Sequence, residues 1–209
     1  MYNWLKRSVM VNYYTDLPAG YREVFHIDAK SKKVGIAFTV VSLVITVASL
    51  LVIGLLTGFS AILSALDSAS KVEYVVPYLV LVVCLFSYIV LHELVHGAAY
   101  KALTHQKLTF GMTLTVAFCG VPDIYTSRKT AIIALTAPLV VFSIVFLALM
   151  ACFRTSNPIY FAVFSILFSI HLGGCVGDMY MTLLLMTRFK DPRLLMRDTG
   201  PAQTIYLPE

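Results

Sequence analysis

Charge is scarce in this sequence. Asp, Glu, Lys and Arg make up 13% of its 209 residues, about half of the roughly 25% usual in a soluble domain. Hydrophobic residues fill 59%, and the mean hydropathy is +0.83. A larger core cannot absorb that shift, so much of the surface must face lipid. Cysteine pairs are also missing: Cys84, Cys119, Cys152 and Cys175 stand singly, without C-x-x-C spacing. That argues against a disulfide framework, and all four read as small buried apolar residues. No cleavable signal peptide is visible either. The first 33 residues are polar and basic, and this segment is expected to be retained. In a soluble protein a net charge of +5 would suggest nucleic acid. Here the basic residues sit in short segments between apolar runs, so the membrane accounts for them and no nucleic-acid partner is expected.

What the sequence does have is four apolar runs, each long enough for the roughly 20 residues a spanning helix needs. They are Val34–Leu56, Val75–Tyr100, Ala131–Phe153 and Ile159–Thr187, with a stretch up to Ala69 after the first that is expected on the surface. Pro158 suits the first turn of the fourth helix. Of the 16 Lys and Arg, 14 fall in the N-terminal segment, the second loop and the tail; only Lys71 and Arg154 lie in the other two loops. The positive-inside rule then puts both termini in the cytoplasm. The expected architecture is an all-α, multi-pass membrane protein of about four transmembrane helices, with one short β-strand or hairpin between helices two and three. It divides into a cytoplasmic N-terminal segment (residues 1–33), a transmembrane domain (34–187) and a cytoplasmic tail (188–209).

A charge in hydrocarbon is expensive, so each ionisable side chain in a span calls for a role or a partner. There are five acids or imidazoles, His92, Glu93, His96, His171 and Asp178, all on helices two and four. His92-Glu93-Leu94-Val95-His96 is an H-E-x-x-H motif. On a helix the two imidazoles lie one turn apart on one face and can bind a single Zn²⁺, with Glu93 placed beside it to take a proton from water. Chance gives this pattern in roughly two of a thousand chains of this composition, and inside a span two histidines buried without metal or partner are costly. A catalytic zinc takes three protein ligands and keeps one position open. Asp178, the only carboxylate of helix four, is the candidate third ligand. His92 lies nine residues before Lys101 and Asp178 ten before Arg188, which sets both about 14 Å inside the cytoplasmic ends of their helices. Gly173, Gly174 and Gly177 offer small side chains for close approach of helix four to helix two. His171 lies two turns before Asp178 on its face. It stands as a partner behind the ligands, a substrate contact, an alternative third ligand or a satisfied core histidine. Asp123, beside Pro122, reads as a turn residue.

From Leu108 to Cys119 apolar residues alternate with small or polar ones, a strand or hairpin signal. This segment directly follows the H-E-x-x-H helix. Either it offers an edge for an extended peptide substrate, or it is a small sheet covering the core.

His92 to His96, Thr136-Ala137-Pro138-Leu139 and Gly177-Asp178 together resemble the Putative zincin peptidase family of small bacterial membrane proteins, relatives of the site-2 proteases, over roughly Ile89 to Thr187. Site-2 proteases carry H-E-x-x-H on one transmembrane helix and an aspartate ligand on a later one, with a β-rich segment between. This chain has that order, but Gly177-Asp178-Met179 replaces their Leu-Asp-Gly, and there is no room for a PDZ domain. The resemblance implies an intramembrane zinc metalloprotease of the bacterial cell membrane, acting on membrane protein or peptide substrates. Two competing readings are a non-enzymatic metal-binding membrane protein, such as a sensor or inactive relative, and a proton- or ion-coupled transporter. Against the transporter, ionisable groups occupy only two helices and no internal repeat is visible.

Overall fold

The computed structural model describes residues 12–59, 75–112 and 117–209. The elements in chain order are β1 (Tyr13–Tyr14), β2 (Tyr21–Asp28), α1 (Lys32–Thr57), α2 (Val75–Thr104), β3 (Thr109–Met112), β4 (Ala117–Gly120), β5 (Tyr125–Ser127), α3 (Arg128–Phe153), α4 (Pro158–Gly174), α5 (Val176–Thr187), β6 (Leu195–Asp198) and β7 (Ala202–Pro208). Most of the stretch expected on the surface up to Ala69 lies outside the described residues.

Helices α1, α2 and α3 are each long and apolar enough to cross a membrane. Their outer faces carry bare hydrocarbon: Leu55 and Leu56 of α1 are 75% and 76% exposed. Continuous apolar surface of this kind suits lipid and not water. Helices α4 and α5 meet the same test only as a pair, bent by 47° at Cys175. This corrects the expected unbroken helix Ile159–Thr187. The bend follows Gly173-Gly174, where helix propensity is weakest. These glycines do not mainly serve the approach to α2, as expected. Gly173 lies against Ser42 and Thr46 of α1, where any Cβ would collide, and Gly177 faces Phe38 of α1. Gly174 alone points at α2, toward the Tyr88 hydroxyl. Pro158 does open α4, and the Asn157 side chain caps it by accepting from the Ile159 and Tyr160 N–H groups at 3.0 and 3.2 Å. All four cysteines are free. Cys119 and Cys175 are buried and Cys84 partly so, but Cys152 is exposed on α3, against the expectation of burial.

The alternating segment forms the antiparallel hairpin β3–β4, with Thr109 opposite Gly120 and Met112 opposite Ala117; residues 113–116 lie outside the described set. The β-structure goes further than the short element expected in an otherwise all-α chain. A five-stranded sheet runs in the order β1-β5-β6-β7-β2. The N-terminal segment supplies β1 and β2, and the tail supplies β6 and β7. The long pair is β2 with β7, from Tyr21 opposite Pro208 to Asp28 opposite Ala202, with a bulge between Glu23 and Phe25. The sheet gathers where α1 and α3 begin and α2 and α5 end. Leu194, Met196 and Ile205 pack there with Ala131 and Leu135 of α3 and Met181 and Leu185 of α5. Arg128, the first residue of α3, donates its Nε–H to the carbonyls of Leu185 and Phe189 at 2.9 and 3.1 Å, capping α5. Deeper in the bundle Tyr88, Phe142, Phe146, Phe161, Phe164 and Leu167 form the core between α2, α3 and α4.

Asp198 joins sheet, hairpin and α2. Its Oδ2 accepts from the Tyr100 hydroxyl at 2.7 Å, its Oδ1 from the Gly200 N–H at 2.8 Å, and its carbonyl from the Val121 N–H at 2.8 Å. Gly200 turns the chain from β6 to β7 at φ +93°, a conformation that favours glycine. Phe118 of β4 packs on that turn, and Lys30 lies over the Phe118 ring, 5.4 Å from its centroid. The strands thus roof one end of the bundle.

Asp198 is buried, and this desolvation pushes its carboxyl up to about 6 from 3.8, against the lowering effect of its hydrogen bonds to Tyr100 and Gly200. A carboxyl with a raised folded value holds its proton more tightly folded than unfolded. Its contribution is therefore full below the unfolded value and is lost as pH rises through about 6, by up to roughly 3 kcal/mol. We expect the unfolding midpoint of the wild type in detergent to fall relative to Asp198→Asn as pH is raised from about 4 to about 7. A constant difference between the two would show that Asp198 does not titrate in this window.

Candidate metal centre

The elements above converge on one polar spot inside the bundle. On α2 the His92 and His96 side chains are both buried, with ring centroids 5.0 Å apart. The bend at Cys175 starts a new helix and puts Asp178 in the first turn of α5, where the macrodipole favours a carboxylate. Asp178 Oδ2 lies 3.3 Å from Nε2 of His92 and 3.3 Å from Nε2 of His96. Sequence reasoning about depth along two separate helices therefore pointed at groups that do meet in space.

These three donors fit a metal ion. In a tetrahedral site with bonds of about 2.0–2.1 Å to nitrogen or oxygen, neighbouring ligand atoms stand about 3.3 Å apart, and two imidazoles with one carboxylate leave the fourth corner free. All three ligand atoms lie within 4.8 Å of one another.

Glu93, one position beyond His92, lines the same cavity of about 970 Å³ as His92, His96 and Asp178. Met112, Ala117, Phe118 and Cys119 of the β3–β4 hairpin line that cavity too. The hairpin therefore lies directly across the cavity from α2. The neighbouring Cys119 thiol is pushed up to about 12, first by its own burial and then by the carboxylates Glu93 and Asp198. Without a metal beside it this favours the neutral thiol, and Cys119 is in neither group of donors that converges here.

His171 is fully buried and does not face Asp178. A second group of potential donors, His92, His171 and Cys175, also falls within 4.8 Å. Its centre is taken by the Tyr88 hydroxyl, 3.1 Å from Nδ1 of His92 and 3.0 Å from Nδ1 of His171. On its far side His171 Nε2 approaches Ser143 Oγ at 3.2 Å and the Leu139 carbonyl at 3.3 Å. His96 Nδ1 lies 2.8 Å from the Ala134 carbonyl. Of the alternatives for His171, the geometry favours a partner behind the ligands. Asp123 is exposed in the turn before β5 and does not line the cavity. Sequence reasoning missed Tyr88, although its place four residues before His92 put it on the same helical face.

The family described as Putative zincin peptidase matches residues 85–192, just over half the chain. No curated protein and no solved structure matches the chain. The matched span runs from α2 through α5 and holds every polar residue of the centre.

Zinc analysis of the detergent-purified chain should give about one ion per chain. His92→Ala, His96→Ala and Asp178→Ala should each abolish it, whereas His171→Ala should keep the stoichiometry at saturating zinc. Retention of zinc by Asp178→Ala, with loss in His171→Ala, would move the third ligand to the Tyr88 side.

Proposed function

The chain belongs to the Putative zincin peptidase family, and from that premise we propose that it is an intramembrane zinc metalloprotease of the site-2 protease type. The observation that carries the reading is one cavity, set among membrane-length apolar helices, in which His92, His96 and Asp178 converge while Glu93 lies alongside. His92, His96 and Asp178 would hold the ion. Zinc bound there supplies a Lewis acid that acidifies water and polarises a carbonyl.

The chain's own residues do the rest. Glu93 takes a proton from the attacking water and delivers it to the leaving amine, a role worth about 10²–10⁴ in rate. Cys119 of β4 lines the cavity beside Glu93. Strand β4 then lies within reach of the same spot, which suits an extended segment laid along its edge. Substrates in this reading are transmembrane or interfacial segments of membrane proteins, unwound locally so that a carbonyl becomes accessible. The chain spans a bacterial cell membrane four times, counting α4 and α5 as one bent span. Both termini face the cytoplasm, in keeping with 14 of 16 Lys and Arg on that side. This puts the sheet and the nearer end of the cavity at the cytoplasmic face, where water reaches the site by a short path.

The test incubates zinc-loaded protein with a pool of single-span membrane peptides and reads new termini by mass spectrometry. The wild type should generate them. Glu93→Gln should lose at least about 100-fold in rate with unchanged zinc content. Full cleavage by Glu93→Gln would remove Glu93 from the chemistry. Zinc binding by the wild type without any cleavage would replace the protease with a non-enzymatic metal-binding protein.

A further inference from the structure

Helix α3 contributes no candidate ligand, yet both histidines of the centre are tied to its backbone. The first tie is direct. Pro138 sits inside α3 and has no N–H, so the Ala134 carbonyl four residues earlier has no intrahelical donor. Ala134 is completely buried, and an unpaired carbonyl there would be costly. His96 Nδ1 fills the vacancy at 2.8 Å. A carbonyl only accepts, so Nδ1 carries a proton, and in the neutral imidazole that takes a metal Nε2 turns its lone pair toward Asp178 and the cavity.

The second tie runs through two side chains. The Leu139 carbonyl, one residue after the proline, lies 3.3 Å from His171 Nε2 and Ser143 Oγ lies 3.2 Å from it; a proton on Nε2 suits both, since the hydroxyl can accept and the carbonyl can only accept. With its proton on Nε2, neutral His171 presents a bare Nδ1, so the Tyr88 hydroxyl donates to it at 3.0 Å. The Tyr88 oxygen is then free to accept from His92 Nδ1–H at 3.1 Å. In the neutral imidazole that leaves the His92 Nε2 lone pair facing Asp178 Oδ2 at 3.3 Å. With the histidines neutral, each link sets the direction of the next, starting from a carbonyl that has no proton to give.

We propose that the Pro138 segment of α3 sets the tautomers of both histidines, His96 through the Ala134 carbonyl and His92 through Leu139, His171 and Tyr88, so that both Nε2 atoms are ready for the metal. Pro138, Tyr88 and His171 are positioning residues in this arrangement. The inference rests on the zinc-site reading, and partners of this kind typically set 10- to 100-fold of metal affinity.

The experiment uses the full chain in detergent with ¹⁵N-labelled imidazoles, assigned through single histidine substitutions, together with zinc affinities by competition with a chelator. In zinc-loaded wild type, His92 and His96 should carry their protons on Nδ1 and His171 on Nε2. Tyr88→Phe should lower zinc affinity about 10- to 100-fold and free the His92 Nδ1–H while leaving His96 unchanged. Pro138→Ala, which restores the missing donor to Ala134, should also lower zinc affinity, freeing the His96 Nδ1–H and leaving His92 unchanged. His171→Leu should weaken zinc like Tyr88→Phe, and His171→Gln, which keeps one donor and one acceptor, should restore most of the loss. Metal on Nδ1 of either histidine overturns the proposal, as does wild-type zinc affinity in both Tyr88→Phe and Pro138→Ala. If the wild type binds no zinc, the metalloprotease reading falls by itself; the zinc-free spectrum still decides this chain of bonds, since a proton on His171 Nδ1 would break it.

Discussion

A carboxylate and two imidazoles lie within 3.3 Å contacts inside a bundle whose outer faces are bare hydrocarbon. Groups of this kind cannot be left unpaired away from water without a cost of several kcal/mol, and the architecture is arranged around meeting that demand. The bend at Cys175 brings a helix start to Asp178. The proline of α3 surrenders a carbonyl where His96 needs an acceptor. Tyr88 fills the space between two imidazoles that would otherwise compete for solvent. Fully connected, such a cluster holds its geometry more rigidly than any one contact would.

The sheet end of the molecule answers to the same spot. The sheet does not stand apart as a separate module: Asp198 fastens it to α2 through Tyr100, one turn beyond His96, and to the hairpin through Val121. Hairpin, sheet turn and the start of α1 surround the cavity that the α2 and α5 side chains enter. The apolar seam of Ala131, Leu135, Met181 and Leu185 against Leu194, Met196 and Ile205 continues the bundle core into the sheet. Displacement of the roof would therefore be felt along α2 and α5, the two helices that bear the polar groups.

Much of the site could be read from the sequence because its components obey local rules. H-E-x-x-H carries its own geometry through helical periodicity, and Asp178 could be matched to it by counting residues to the nearest basic end. The alternation before Cys119 declared a hairpin. The sheet was hidden for the opposite reason. Strand β1 has two residues and β5 three, too few to show a period, and β2 is recognisable only once β7 is beside it. The helix break at Cys175 was hidden inside an apolar run whose composition fits an unbroken span equally well. The glycines were legible as a close approach, but composition does not say which neighbour approaches, and the partner is α1. Pro138 was visible as a motif element, while its effect depends on a histidine 42 positions earlier along the chain.

The pairing of β2 with β7 also governs the order in which the molecule can be completed. Tyr21 meets Pro208 and Asp28 meets Ala202, so β2 finds its partner only after all the helices between them have been made. Contacts so distant in sequence form slowly, because loop closure must precede any gain from pairing. The helices, whose hydrogen bonds are local, can be inserted and packed well before. Until β7 is made, β2 has a bare edge. Strand β7 closes the chamber by joining β2 to β6, and a chain cut short before Ala202 would lose that join.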